Sequence, residues 1–240
     1  MLSVLITGAN RGIGLGLVRE FLKEPTVGIV IATVRILEAA TDLKSIDSPK
    51  LHVVACDVTD EHSVACAVEK VAEIVGENGL DLLINNAGIL RCLVLDGEVS
   101  KADVMEQFEV NAFAPLLVAN KFHGLLKRAA EVKGSSQIAN ISSAFGSLEL
   151  AMTEATNPPT IYAMSKAALN MLTRRLAYEW KADKIRATTF TPGWVRTSMG
   201  GPEAALSVEE STEPLAKLIL SLTEEHNSKF YRHNGVELPW

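Results

Sequence analysis

Apolar positions along the chain form short continuous runs, which alternate with longer stretches that have apolar residues at helical spacing. The short runs predict strands at residues 2–7, 29–34, 51–56, 80–85, 137–142 and 186–191, with a short last strand near 229–232. The helical stretches lie at residues 12–23, 60–75, 110–127, 161–180 and 209–223. Strands that are apolar throughout are typical of a parallel sheet buried on both faces. The pattern therefore predicts an α/β fold of about seven strands with helices on both faces, as one domain over residues 1–240.

Composition and charge narrow the class of protein. Of the 240 residues, 48% are hydrophobic, and no apolar run free of charges and turn signals is long enough to cross a membrane. The first six residues lack a basic leader and a cleavage site, so we expect a strand there and not a signal peptide. The formal net charge of −6 argues against nucleic acid and anionic membranes as partners.

The spacing of cysteines and histidines indicates whether the chain has a metal-binding motif or a disulfide framework. Cys56, Cys66 and Cys92 form no CxxC motif, and the five histidines form no HExxH motif. We therefore expect neither a metal site nor a disulfide framework. Such a chain suits a reducing compartment, so the cytoplasm is the expected location.

A glycine-rich turn separates the first predicted strand from the first predicted helix. It contains Gly8, Gly12 and Gly14, and it is completed by Asn10, Arg11 and Ile13. Glycines let the backbone approach a pyrophosphate, and the helix N-terminus supplies N–H groups and a positive dipole. The spacing GxxxGxG differs from the common fingerprint GxGxxG. The turn indicates a nucleotide site in a Rossmann-like, doubly wound sheet; the alternative is a tight turn without a ligand.

The end of the second predicted strand distinguishes NAD from NADP. An acidic residue there usually meets a ribose 2′-hydroxyl, whereas an arginine accommodates a 2′-phosphate. Here the strand is followed by Arg35, and no acidic residue occurs before Glu38. Arg11 in the glycine turn can converge on the same phosphate by charge-assisted hydrogen bonds. This arrangement favours NADP(H) as the cofactor; the alternative is two solvated surface arginines.

Two further strand ends carry candidate cofactor residues. Asp57 and Val58 close the third strand, where the carboxylate can accept from an adenine amine or stabilise the N-terminus of the following helix. The fourth strand closes with small and amide residues, which suit the crevice at the carboxyl ends of parallel strands or a simple turn. These residues are Asn85, Asn86, Ala87 and Gly88.

An acid–base pair is predicted in the second half of the chain. Tyr162 precedes Lys166 by four residues on a predicted helix, so the two side chains share one face. A lysine ammonium beside a phenol stabilises the phenolate and is expected to lower the tyrosine pKa. Such a tyrosine can donate a proton to a carbonyl oxygen and recover it.

Five motifs occur in the order and spacing of the short-chain dehydrogenase/reductases. They are the glycine turn at 7–14, Asn85-Asn86-Ala87-Gly88, Ile141-Ser142-Ser143, the Tyr162–Lys166 pair and Pro192-Gly193. The sequence resembles this family over nearly its whole length. The run at residues 192–201 is similar to that of sniffer-type carbonyl reductases and the C-factor group.

The resemblance implies roles for the site residues. Tyr162 is the general acid, and Lys166 holds the nicotinamide ribose and lowers the Tyr162 pKa. Ser143 bonds the substrate oxygen, because the family places the catalytic serine second in such a pair; Ser142 is its rival. Asn111 holds a water that relays protons to Lys166. The cofactor is flanked at its adenosine and ribose by Asn86, Ala87 and Gly88, and at its nicotinamide and pyrophosphate by Pro192, Gly193, Val195 and Thr197.

The function implied by the resemblance is NADPH-dependent reduction of a small ketone, aldehyde or quinone. Two alternatives are a regulatory or signalling NADP(H)-binding protein with little turnover and an NAD-dependent alcohol dehydrogenase, against which Arg35 argues. An apolar substrate pocket is expected from residues 89–95, 145–160 and 194–207, of which 200–207 form a mobile segment.

Assembly is the last expectation from the resemblance. Many family members form homodimers through the helices that correspond to residues 110–127 and 161–180. The stretch at 144–161 is longer than in many of them, so an insertion there can reshape both the pocket and this interface.

Overall fold

A computed structural model describes residues 1–91, 99–152 and 159–240. Its strands are β1 (Leu2–Ile6), β2 (Val27–Val34), β3 (Leu51–Ala55), β4 (Leu82–Asn85), β5 (Ser136–Ile141), β6 (Ile185–Thr191) and β7 (Phe230–Arg232). Its helices are α1 (Gly12–Lys23), α2 (Thr41–Lys44), α3 (Glu61–Val75), α4 (Lys101–Phe108), α5 (Ala114–Lys133), α6 (Thr160–Glu179) and α7 (Val208–Ser221). All seven predicted strands are confirmed, with ends that differ by one or two residues.

The strands form one parallel sheet in the order β3-β2-β1-β4-β5-β6-β7. The order reverses direction between β1 and β4, and in open α/β sheets ligands bind at such a reversal, beyond the carboxyl ends of the strands. The register places Ile6 beside Ile84, and Asn85 beside Asn140. The turns that follow β1, β4 and β5 therefore meet at one edge of the sheet.

Helices cover both faces of the sheet, as the apolar pattern predicts. On one face, α1 and α7 bury residues such as Phe21 and Leu215. On the other face, α3, α5 and α6 bury residues such as Val71, Phe122 and Leu176. The result is a single-domain, Rossmann-like, doubly wound fold with a hydrophobic core layer on each side of the sheet.

The predicted helix over 110–127 is wrong in both bounds. Helical structure begins at Lys101 as α4, passes through a π-helical turn at Glu109–Phe113, and continues as α5 to Lys133. In α4 the only buried residue is Gln107, so the apolar periodicity that would mark a core-facing helix is weak. The helix ends where Gly134 takes a left-handed conformation at φ 94°.

Smaller differences concern helix starts. Asp60 is the N-cap of α3 and accepts from the backbone N–H groups of His62 and Ser63, so the helix begins one residue later than predicted. The four-residue helix α2 was not expected, because it is too short to show a period. The other helices differ from their predicted bounds by at most two residues.

Parts of the predicted pocket lie outside the described residues. These parts are residues 92–98, which hold Cys92 and most of the 89–95 stretch, and residues 153–158 of the 144–161 insertion. The segment at 200–207 is held at its end, since the backbone of Leu206 bonds to Trp194 and to Arg196; its mobility stays a prediction. Within the described ranges, no helix is both long and apolar enough to span a membrane.

Candidate active site

The glycine turn adopts a backbone that requires glycine. Gly8 and Gly12 have φ values of 63° and 53°, which side chains other than glycine rarely adopt. A Cβ on Gly14 would lie 2.5 Å from the carbonyl oxygen of Gly8 and 2.6 Å from Nδ2 of Asn86. The turn is therefore packed tightly against the loop after β4, and Asn10 and Ile13 lie within it.

The start of α1 has the properties of an anion-binding site. Its N-cap, Arg11, makes no side-chain capping bond, and the first turn has no acidic residue. The helix N–H groups and dipole are thus not offset by a local carboxylate. On this observation the residues present fit the pyrophosphate of a dinucleotide.

The loop after β6 closes over the glycine turn. A Cβ on Gly12 would lie 3.2 Å from Cγ2 of Thr197, and Gly193 takes a φ of 82°. Pro192 is fixed by a 2.7 Å bond from Ser211 Oγ to its carbonyl oxygen, and Val195 is buried. The structure therefore brings Pro192, Gly193, Val195 and Thr197 to the same edge as the turn.

Both predicted arginines lie at this edge. Arg35 directly follows β2, and Arg11 precedes α1, while the backbone N–H of Ala9 donates to Thr33 across the two strands. Both side chains are exposed, and no ion pair to either is formed within the described part of the chain. Their guanidinium groups face solvent beside the turn.

Asp57 is used in the turn before α3. Its Oδ1 accepts from the backbone N–H and the hydroxyl of Thr59, at 3.1 and 2.8 Å. Val58 is partly buried against the core layer that contains α3. These contacts show the turn-forming use of Asp57, and an adenine contact stays a prediction for both residues.

Asn85 and Asn86 join neighbouring strands. Asn85 is buried, and its Nδ2 donates to Oδ1 of Asn140 at 2.8 Å. Asn140 in turn donates to Thr173 of α6, so this pair lies on the face of the sheet that α6 covers. Asn86 instead donates to the carbonyl oxygens of Thr7 and Gly8, at 2.8 and 3.1 Å. These hydrogen bonds of Asn86 therefore fix the loop after β4, which contains Ala87 and Gly88, against the glycine turn.

Asn111 lies in the π-helical turn and connects three elements. Its Oδ1 accepts from the N–H of Ile89 at 2.9 Å, and its Nδ2 donates to the Ile89 carbonyl and to Ser165 Oγ at 2.9 and 3.0 Å. The side chain is fully buried. Asn111 therefore fixes the loop after β4 against α6, one residue before Lys166.

The two serines after β5 point in different directions, as strand alternation predicts. Ser142 is buried and donates to Oδ1 of Asn170 at 2.7 Å. Ser143 is partly exposed; its Oγ accepts from the N–H of Phe145, and its hydroxyl is hydrogen-bonded to Tyr162. The structure thus brings Ser143, and not Ser142, to Tyr162.

Lys166 is buried beneath Tyr162. Its Nζ lies 5.7 Å from the centroid of the Tyr162 ring and donates to the carbonyl oxygen of Ile141 at 3.0 Å. Burial lowers the pKa of Lys166 to about 8. Gly88 lies next to this Nζ, because a Cβ on Gly88 would be 3.6 Å from it and 3.2 Å from Oδ1 of Asn111.

The predicted lowering of the Tyr162 pKa is wrong for this arrangement. Burial raises the pKa of Tyr162 to about 12, and the hydrogen bond with Ser143 opposes this rise only in part. The Lys166 ammonium lies over the ring and is engaged by the Ile141 carbonyl, so it does not offset the loss of hydration. The phenol therefore keeps its proton at neutral pH.

Sequence reasoning missed the polar residues that support the site. Asn170 accepts from Ser142 and donates to the carbonyl of Gly146 at 2.9 Å, and Ser165 donates to the carbonyl of Tyr162 at 2.8 Å. Both are buried. The signal was present, since Asn170 lies four residues after Lys166 and so shares its helix face.

A doubly wound sheet, a glycine turn at its first strand, and a Ser–Tyr–Lys cluster at the same edge define a Rossmann-type oxidoreductase. A family model described as "short chain dehydrogenase" matches residues 3–206. The chain therefore belongs to the short-chain dehydrogenase family.

Known proteins resemble the chain over most of its length. The C-signal of Myxococcus xanthus is 34% identical over 161 residues, which cover 67% of this chain and 93% of that protein. Among solved structures, the carbonyl reductase Sniffer of D. melanogaster has a TM-score of 0.95 at 31% identity and covers 100% of both chains. An NADPH-bound carbonyl reductase from chicken fatty liver has a TM-score of 0.93 at 38% identity, covering 99% of this chain and 98% of its own.

Proposed function

We propose that this protein is an NADPH-dependent reductase of the carbonyl group of a ketone, aldehyde or quinone. The observation that carries the proposal is the hydrogen-bonded pair of Ser143 and Tyr162 at the sheet edge that also holds the glycine turn. Similarity to the Sniffer and chicken carbonyl reductases supports the reaction class.

The cofactor proposal depends on the edge formed by β1 and β2. NADPH, when bound, supplies the hydride for the reaction. The N-terminus of α1 would hold the pyrophosphate, and Arg11 and Arg35 would hold the 2′-phosphate. The NADPH-bound chicken reductase, at 38% identity, supports this choice.

The proton chemistry belongs to Ser143 and Tyr162. A carbonyl undergoing reduction develops negative charge on its oxygen, and two hydroxyl donors aimed at that oxygen stabilise the charge. Tyr162 enters the reaction protonated, because its pKa is raised to about 12, and it then gives this proton to the alkoxide. Ser143 orients the same oxygen.

Lys166 and Asn111 would contribute a cofactor contact and a proton-relay path. Lys166, with its pKa lowered to about 8, carries a charge at neutral pH and would hold the nicotinamide ribose. The Asn111 side chain is occupied by Ile89 and Ser165. We therefore assign the relay water to backbone groups of the π-helical turn, where the regular bonding of the helix is interrupted.

An apolar substrate suits the loop after Gly193. Trp194 and Met199 are both exposed there, at 57% and 44%. The Trp194 ring is oriented by a 2.8 Å bond from its Nε1 to the carbonyl of Gly200. Exposed side chains of this kind offer a hydrophobic surface to the organic part of a carbonyl compound.

Oxidation of NADPH at 340 nm with a panel of ketones, aldehydes and quinones tests the reaction. We expect turnover by the wild type, and a loss of about 100-fold or more in Tyr162→Phe with NADPH affinity retained, since only the proton donor is removed. Tight NADPH binding without turnover of any compound would instead favour a regulatory protein. Undiminished turnover in Tyr162→Phe would exclude Tyr162 as the acid.

Arg35→Asp tests the cofactor choice. We expect NADPH affinity to fall by about tenfold or more relative to NADH, because the carboxylate repels a 2′-phosphate and accepts from a 2′-hydroxyl. Isothermal titration with both nucleotides measures the ratio. Arg128→Asp, an exposed arginine on α5, is the matched control and should leave it unchanged. An unchanged ratio in Arg35→Asp would argue against this 2′-phosphate site.

A further inference from the structure

Residues 233–240 fold back along the edge of the sheet after β7. Arg232 donates from its backbone to Val236 at 2.8 Å, and Leu238 donates to Phe230 at 2.7 Å, while Tyr231 and Glu237 form an antiparallel bridge. This return, which we call the tail, runs beside the last strand. The tail brings Trp240 next to Phe230 of β7 and Arg174 of α6.

Trp240 joins three parts of the molecule. Its ring stacks on Phe230 of β7, with centroids 5.5 Å apart and planes at 28°, and the guanidinium of Arg174 on α6 lies 5.3 Å from its centroid. Its carbonyl oxygen accepts from the backbone N–H of Glu149 at 3.1 Å. An aromatic ring held on two sides is a rigid anchor for the backbone that carries it.

The partner of this bond, Glu149, lies in a segment that the sequence predicts to border the active site. Residues 144–151 directly follow Ser143, and we call them the wall segment. Its inner part is held by α6, because Gly146 packs on the backbone of Lys166 and its carbonyl accepts from Asn170. Its outer part contains the exposed residues Leu148 and Glu149, and the bond to Trp240 ties this part to the tail.

We propose that Trp240 is a positioning residue that holds the wall segment against the substrate. The inference rests on the proposed reductase function, since a wall beside Ser143 and Tyr162 contacts whatever carbonyl compound those hydroxyls bind. The contacts that hold Trp240 are with Phe230, Arg174 and Glu149, and they do not include Ser143 or Tyr162. Loss of its ring therefore loosens the outer wall while leaving the reacting groups and the cofactor site in place.

Steady-state kinetics separate this role from a general structural one. In Trp240→Ala we expect KM for a bulky carbonyl substrate to rise about five- to tenfold, with kcat within about twofold, because the wall contributes binding that is equal in ground and transition states. NADPH affinity should not change. Trp240→Phe keeps a ring between Phe230 and Arg174 and should restore KM to within about twofold. Val236→Ala, an exposed apolar truncation in the same tail, is the control.

Amide hydrogen exchange provides a readout that needs no activity. We expect the Glu149 amide to exchange about tenfold faster or more in Trp240→Ala, and at the wild-type rate in Trp240→Phe and Val236→Ala. Trp240→Leu keeps an apolar side chain without an aromatic ring, and it replaces the alanine variant in this measurement if that variant does not fold. Each protein is measured well below its own Tm.

The two proposals fail in different ways. If the wild type reduces no carbonyl compound, the reductase function fails, and exchange at Glu149 still decides whether Trp240 holds the wall. Unchanged exchange in both Trp240→Ala and Trp240→Leu overturns the inference. So does a fall in kcat at constant KM, since that result places Trp240 in the chemical step.

Discussion

Burial of the Lys166 side chain has a cost in stability. The side chain is buried at 4% exposure, and burial lowers its pKa from 10.5 to about 8. Below pH 8 the ammonium is present in both the folded and the unfolded state, but it is poorly hydrated only in the folded one. The residue therefore destabilises the fold at neutral pH, as residues at active sites commonly do.

Replacement of Lys166 by methionine should relieve this cost. We expect the free energy of unfolding to rise by about 1–2 kcal/mol at pH 7, less than the full pKa shift implies because the bond to Ile141 is lost. Between pH 8 and 10.5 the unfolded wild type holds a proton that the folded state has released, so wild-type stability rises with pH. The advantage of Lys166→Met should therefore shrink over that range.

Denaturant unfolding at pH 7 and at intervals up to pH 10 measures this difference. Lys121→Met, at an exposed position of α5, is the control and should change stability by less than about 0.5 kcal/mol. A Lys166→Met protein that is less stable than wild type at pH 7 would contradict the argument. So would an advantage that is independent of pH.

At the scale of elements, the glycine turn is the segment that least tolerates a larger side chain. A Cβ on Gly14 would meet backbone of the turn at 2.5 Å, so Gly14→Ala must displace either Gly8 or the Asn86 loop. We expect a loss of about 1–3 kcal/mol in stability, as for other overpacked sites. NADPH affinity should fall about tenfold or more, because the N–H groups of α1 are no longer aligned.

Gly124→Ala is the matched control for this substitution. Gly124 lies within α5, and a Cβ there meets nothing within 4 Å. We expect it to raise stability by about 0.5–1 kcal/mol, as helix-interior glycines allow, with no change in NADPH binding. Thermal unfolding and calorimetry report both quantities. A Gly14→Ala protein that binds NADPH as wild type does would refute the tight-turn argument.

The interruption between α4 and α5 shows the limit of periodicity at this scale. Asn111 is a poor helix former, and its three hydrogen bonds to Ile89 and Ser165 stabilise the π-helical turn. Those partners lie 22 and 54 residues away in the chain. A pattern read over one or two turns contains no information about them, so it could not predict the π-helical turn.

At the scale of the whole molecule, exposed apolar side chains mark one face of α6. Met164, Met171 and Tyr178 recur every seven residues and are 50%, 60% and 74% exposed. Phe113 and Leu116, just before and within α5, are exposed as well. These are the helices that the family resemblance implies for a homodimer. We predict that the wild type is dimeric through this face.

Light scattering coupled to size exclusion tests the prediction with Met171→Glu. A carboxylate buried in an apolar interface is costly, so this variant should be monomeric at concentrations where the wild type is a dimer. Lys44→Glu, an exposed charge change on α2, should not alter the mass. A wild type of monomer mass would show that these helices stay uncovered.

The seven strands, the glycine turn and the pairing of Tyr162 with Lys166 were determined by the sequence alone. Each depends on neighbours in the chain: a continuous apolar run, glycines at fixed spacing, or two side chains one helical turn apart. Such relations depend only on residues that are near one another in the chain, so they can be recognised without knowledge of the tertiary structure.

The tertiary structure decided which of these residues lie together and how their surroundings shift their pKa values. Ser143, which the family resemblance implies, is hydrogen-bonded to Tyr162, while Ser142 is bonded to Asn170, 28 residues further along the chain. The Tyr162 pKa rises and does not fall, because burial by distant segments outweighs the hydrogen bond with Ser143. Trp240 meets Glu149 only through the return of the tail. Burial and hydrogen-bond partners are set by long-range packing, which no local pattern encodes.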